Sequence, residues 1–147
     1  MLHFEGDKEL SRGPAELYPK LSDARFLAQC IPGGEVVGEP EADRAVCKVK
    51  PALSFVTGSL EVTVQITERV PDSSVRVSLR SKGIGSSSDV EAVLTLAPQD
   101  GGTRLHWTAD VTRLGGLLKA VPSGLIRGAA QKVITDVWNN VEAKLKE

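Results

Sequence analysis

Aromatic side chains make up only 4% of this 147-residue chain, and the two large ones are Trp107 and Trp138. Without a row of aromatics there is no stacking platform for single-stranded nucleic acid. Charge of one sign is missing too: 18 Lys and Arg stand against 19 Asp and Glu, a formal net charge of −1. That balance removes the field a phosphate backbone would need, so nucleic acid is not expected as a partner. Cysteine occurs only at Cys30 and Cys47, too few for a disulfide framework. The opening MLHFEGDKEL carries acidic residues where a secretory signal would be apolar, and a cytoplasmic location is expected. No uninterrupted apolar run reaches the length of a membrane span; even Leu114 to Val141 is broken by Lys119, Arg127, Gln131, Lys132 and Asp136. What remains is a globular composition, 41% hydrophobic and 25% charged. At this length about 70% of the unfolded surface can be buried around one core, so a single domain over residues 1–147 is expected.

The patterning changes three times along the chain. His3 to Leu10 alternates, with Phe4, Gly6, Lys8 and Leu10 on one face, and reads as a first strand. Gly13-Pro14 sets up a short helix through Leu17, Tyr18 and Leu21; Ser22 is placed to cap a second one carrying Phe26, Leu27 and Cys30, and Pro32-Gly33-Gly34 stops it. From Glu35 the period becomes two. Arg44 to Lys50, Ser54 to Arg69, Val75 to Arg80, Val90 to Leu96 and Arg104 to Thr112 each present one apolar face, with turns at Pro71-Asp72-Ser73 and Pro98 to Gly102. This is an antiparallel meander with one dry face. After Leu114 the period becomes helical, through Leu125, Ile126, Ala129, Ala130, Val133, Ile134, Val137, Trp138 and Val141. Pro122 makes Leu117 to Val121 either a separate turn or a segment joined by a kink.

A one-faced sheet must cover its apolar side, and the terminal helix is the largest apolar surface available for that. The fold class is therefore α+β, a curved antiparallel sheet wrapped around a long C-terminal helix, with two short helices after the first strand. Small residues at Gly58, Gly83, Ala92, Ala109, Gly124, Gly128, Ala129 and Ala130 thin out the filling between the layers. A cavity there is one outcome and a fully packed core the other.

Reactive chemistry is sparse. The polar residues on the inward parity are Lys8, Ser54, Glu68 and Ser81, with either Ser86 or Ser88, mostly near strand ends, and no nucleophile lies beside a base and an orienting group. His3 and His106 fall on the outward parity. A metal site would have to gather His3, Cys30, Cys47 and His106, which lack CxxC or HxxxH spacing. Cys30 reads as a small buried residue, with a reactive thiol as the alternative. Gly115-Gly116 reads as a strand-to-helix turn or as a point of close approach for a ligand. Gly83-Ile84-Gly85 runs into serines within a strand connection and is no dinucleotide fingerprint. No metal and no cofactor is expected.

The order of elements resembles the helix-grip (START-like, SRPBCC) superfamily, which includes START lipid-transfer domains, birch-pollen-type allergens and polyketide cyclases. More specifically, Ser22-Asp23, Phe26-Leu27, Cys30-Ile31-Pro32-Gly33-Gly34-Glu35, Gly58-Ser59-Leu60, Lys82-Gly83-Ile84-Gly85, Gly102-Thr103-Arg104-Leu105, Ala109-Asp110-Val111 and Leu114-Gly115-Gly116-Leu117 look like the carbon monoxide dehydrogenase CoxG family over nearly the whole chain. The resemblance implies a non-catalytic accessory protein that holds a hydrophobic small molecule, lipid- or quinone-like, in the grip cavity. It implies as partners a molybdenum-type hydroxylase of the carbon monoxide dehydrogenase kind and the membrane surface. The alternative is a polyketide cyclase or dehydratase-like enzyme using the same cavity, which would need Lys8, Glu68 or Cys30 at its centre. The residues expected to line the ligand site are Ile31, Val56, Leu60, Val62, Val77, Leu79, Ala92, Leu94, Trp107, Ala109, Leu118, Val121, Leu125, Ile126 and Ala129.

Overall fold

The alternation read from the strands closes into one antiparallel sheet. In the computed structural model, which describes residues 2–50 and 58–145, the elements run β1 (Leu2–Leu10), α1 (Pro14–Leu21), α2 (Ala24–Gln29), β2 (Gly34–Val37), β3 (Arg44–Val49), β4 (Leu60–Val70), β5 (Ser74–Gly83), β6 (Ser86–Gln99), β7 (Gly102–Gly116), a 3-10 turn (Leu117–Ala120) and α3 (Ser123–Leu145). The seven strands of the sheet are ordered β1-β7-β6-β5-β4-β3-β2. Each hairpin neighbour in sequence is a neighbour in space, and β1 returns to pair with β7, His3 opposite Asp110 and Gly6 opposite Trp107. The fold is the expected α+β helix-grip.

Some local readings are corrected, and the alternatives left open at Pro122 and at Gly115-Gly116 are decided in favour of a separate turn and of a strand-to-helix turn. Ser22 does not cap α2: its hydroxyl turns back to the Tyr18 carbonyl at 2.7 Å, and Asp23 is the cap, accepting from the Arg25 amide at 2.9 Å. Pro122 separates the 3-10 turn from α3 rather than kinking one helix. Gly115 and Gly116 close β7, opposite Ser87 and Ser86, and a Cβ at Gly116 would collide with the Gly85 carbonyl oxygen. Their smallness serves strand pairing. Gly124 and Gly128 face open space, so they do not thin the interior as the sequence suggests.

Two bulges interrupt the parity. In β4 the register steps between Ile66 and Glu68, and the extra residue Thr67 donates its hydroxyl to the Arg76 carbonyl. In β7 the step falls opposite Asp89 and Val90, and the extra residue Thr112 donates to the Asp89 carbonyl. Each bulge turns the strand beyond it over by one residue and adds curvature. Glu68 is thereby rotated outward to pair with Arg76, contrary to its inward reading, whereas Leu114 is turned inward. Ser54 lies outside the described residues.

The core gathers Leu17, Tyr18, Leu21 and Ala28 of the short helices, inward strand residues such as Phe4, Val64, Val75 and Leu105, and Trp138, Val141 and Leu145 of α3. Arg69 ties the short helices to the sheet: its guanidinium donates to the Ser22 carbonyl at 3.0 Å and to the Ala42 carbonyl at 3.1 Å and pairs with Asp43. The Asn140 amide of α3 donates to the Cys30 carbonyl at 2.9 Å, fastening α2 to the terminal helix.

Candidate functional site

Between sheet and helix the filling is incomplete. Ala92 of β6 and Ala109 of β7 sit opposite each other on central strands, flanked by Val77 and Phe4 in the same cross-strand row. Two adjacent alanines cannot reach across to α3, whose facing side contributes Ala129 and Ala130. A cavity of about 500 Å³ results. Its floor includes Val62, Val64, Leu79, Val90, Leu94 and Leu114; its roof includes Ile126, Ile134 and Val137; Leu27, Ile31, Pro32 and Gly33 form a side wall. Trp107 and Trp138 close one end, their ring centroids 6.0 Å apart and the planes tilted by 37°. Leu118 of the 3-10 turn stands at the other end.

Of the residues expected to line the site, Ile31, Leu60, Val62, Val77, Leu79, Ala92, Leu94, Trp107, Ala109, Leu118, Ile126 and Ala129 border this cavity. Val121 and Leu125 do not. Leu125 is 56% exposed, because Pro122 starts a new helix whose phase turns Ile126 inward in its place. Val56 lies outside the described residues. Phe4, Val64, Val90 and Val111 also border the cavity and share the parity of the expected strand residues. Trp138 and Val141 belong to the helical stripe, so the signal for them is present in the sequence. Lys132 and Asp136, visible only once α3 is oriented, sit at the rim as an exposed ion pair 3.0 Å apart.

The titratable groups of the enzyme alternative lie elsewhere. Lys8 reaches Glu142 near the end of α3 at 3.5 Å, and Glu68 is on the outer face. Cys30 is fully buried, and that burial pushes its thiol up to about 11, so it is a protonated, unreactive packing residue. His3 and His106 stand on the outer face of β1 and β7 among Glu5, Asp7 and Asp110. The hydrogen bond to Asp110 raises the pKa of His3 above the ordinary histidine value. Among the described residues no group of three or more His, Cys, Asp or Glu side chains is arranged to hold a metal ion, and no helix is long and apolar enough to cross a membrane.

The same fold recurs in solved structures. A conserved protein of Geobacillus kaustophilus superposes with a TM-score of 0.84 at 23% identity, covering 99% of this chain and 95% of its own. A START superfamily protein of Mycobacterium smegmatis superposes at 0.68 with 11% identity, covering 98% and 97%, and a protein of Thermus thermophilus at 0.64 with 14% identity, covering 98% and 97%. These likenesses establish a START-like fold. A search of curated proteins finds no significant match. Residues 6–146 match the model of the carbon monoxide dehydrogenase CoxG family, and the chain belongs to that family.

Proposed function

We propose that this protein is a non-catalytic carrier for a hydrophobic small molecule, lipid- or quinone-like, serving as an accessory factor to a carbon monoxide dehydrogenase-type redox enzyme. The cavity carries this reading. Its volume lies within the roughly 300–1,000 Å³ range of small-molecule sites, and its charged lining residues stand at the rim, Lys50 and Lys132 exposed and Asp136 part-exposed. A ligand that buries about 300 Å² of apolar surface gains on the order of 7 kcal/mol before ordering costs are subtracted. Affinity no tighter than about 10 μM, with tolerance for ligand shape, is the expected outcome. Carriage is favoured over turnover because Lys8, Glu68 and Cys30 lie outside the lining, leaving among the described residues no acid–base pair in the interior beside a bound molecule. Uptake from a membrane surface suits the exposed Leu117, Leu125 and Val133 near the 3-10 turn and the first half of α3.

Native mass spectrometry of the purified protein, followed by solvent extraction, is expected to release a retained apolar compound. Ala92→Trp fills the floor between Val77 and Ala109 and is expected to reduce ligand retention at least tenfold while the far-ultraviolet circular dichroism stays that of the unsubstituted protein. Undiminished retention in a folded Ala92→Trp variant would remove the cavity as the binding site. Co-purification with a molybdenum-type hydroxylase tests the accessory role separately.

A further inference from the structure

Two hydroxyls in the apolar lining are left with hydrogen-bonding capacity to spare. Ser81 of β5 and Ser88 of β6 are directly opposite each other in the ladder. Both border the cavity, and their Oγ atoms bond one another. Ser86, also in the lining, differs: its hydroxyl donates to the Gly83 carbonyl at 2.9 Å and so serves the hairpin turn.

A hydroxyl offers one proton and two lone pairs. When one serine donates to the other, the pair keeps one proton and three lone pairs, and no other residue among those described bonds either Oγ. The flanking positions are hydrocarbon, Val62 opposite Ser81 and Leu114 opposite Ser88. Arg80 and Lys82, the cations on either side of Ser81 in β5, have the opposite parity: Arg80 is exposed, and Lys82 has a 77% exposed side chain and pairs with Glu61 on the outer face. A carboxylate seated at the serines would therefore lose its hydration with little charge to answer it. An uncharged oxygen would not. The position also orients a ligand: along β7, Leu114 beside Ser88 and Trp107 at the closed end are seven residues apart, about 20 Å of strand.

We propose that Ser81 and Ser88 are the polar anchor of the cavity, seating one uncharged carbonyl or hydroxyl oxygen of a ligand whose apolar body runs toward Trp107 and Trp138. The anchor rests on the carrier reading of the cavity.

Fluorescence titration with pyrene, 1-pyrenemethanol and 1-pyrenecarboxylate separates the two. The double variant Ser81→Ala/Ser88→Ala is expected to lose about three- to tenfold in affinity for 1-pyrenemethanol, while its affinity for pyrene stays within about twofold. Ser88→Thr, which keeps a hydroxyl on a strand-favouring residue, is expected to hold 1-pyrenemethanol as tightly as the unsubstituted protein, and the single variant Ser81→Ala stands in if the double variant does not fold, an alcohol affinity unchanged by it then counting against the anchor. The unsubstituted protein is expected to bind the carboxylate more weakly than the alcohol. Equal losses for pyrene and the alcohol, or a preference for the carboxylate, would overturn the anchor and leave the carrier reading standing. Failure of the unsubstituted protein to bind any of the three would overturn both.

Discussion

Gly6 shows how one missing side chain positions a wall of the cavity. It lies opposite Trp107 in the β1–β7 ladder, and the indole lies over it so closely that a Cβ would stand 2.9 Å from Cζ2 and 3.0 Å from Nε1. The cost is visible in the same place, for Trp107 Nε1 is buried with no hydrogen-bond partner among the described residues. Two effects oppose each other in Gly6→Ala. Replacing a strand glycine restricts the unfolded chain and by itself stabilises by roughly 0.5–1 kcal/mol. Overpacking against a rigid indole held by Trp138 costs about 1–3 kcal/mol, so the clash wins and urea unfolding of Gly6→Ala is expected to show a net loss of about 1–2 kcal/mol. Gly13→Ala, at the N-cap of α1 with nothing within 4 Å, is the control without a clash and is expected to be near neutral, the poorer cap offsetting the entropy gain. A Gly6→Ala protein as stable as the control would mean that the indole has room to move.

Among the elements, Arg69 follows the β4 bulge, which sets it opposite the buried Val75 and so turns it onto the inner side of the sheet, at the junction of α1 and α2. Its bonds to the Ser22 and Ala42 carbonyls and its pairing with Asp43 hold together segments distant in sequence. The side chain is about one-third exposed, so solvent screens the ion pair and the carbonyl bonds carry most of the effect. Arg69→Met is expected to cost about 1–2 kcal/mol in chemical denaturation and to speed amide exchange in α2 before the sheet; unchanged exchange there would reduce the tie to surface decoration. The same bulge shows where a sequence stops being readable. Period-two counting places Val62, Val64 and Ile66 on the inner face correctly, because side-chain direction follows from strand geometry alone. It cannot foresee that Thr67 is the unpaired residue, and so it carries Glu68 inward. At the far end, the stripe of α3 is legible from Ile126 onward, yet counting back through Leu125 and Val121 fails because the helical phase is reset at Pro122. The cavity itself is half legible: Ala92 and Ala109 are small in the sequence, but their meeting in one row depends on the register between β6 and β7.

Across the whole molecule a net charge of −1 conceals a separation. Between Asp110 and Asp136 the chain has no acidic residue, while Arg113, Lys119, Arg127 and Lys132 fall within that stretch. Lys132 is answered by Asp136, leaving the other three as the net charge around the 3-10 turn and the start of α3. Leu117, 65% exposed, and Leu125 stand among them. The outer face of β1 and β7 carries the opposite sign at Glu5, Asp7 and Asp110, partly met by His3 and His106. An anionic bilayer offers about 1 kcal/mol per cation near its surface, and burying a leucine contributes roughly 1.5–3 kcal/mol. On the proposed function, three cations and two leucines would give an attachment that is weak and reversible, as delivery of a cargo would require. Vesicles containing phosphatidylglycerol are expected to co-sediment the protein at low salt and to release it as salt rises through a few hundred millimolar, because the attraction is screened within about 10 Å at 0.1 M. Phosphatidylcholine vesicles are expected to leave it in solution. Leu117→Asp combined with Leu125→Asp introduces two like charges at the contact and is expected to abolish co-sedimentation without lowering thermal stability, since both side chains are already exposed in the free protein. If that variant sediments as the unsubstituted protein does, the mouth of the cavity is not the membrane-facing side, and cargo must enter from solution.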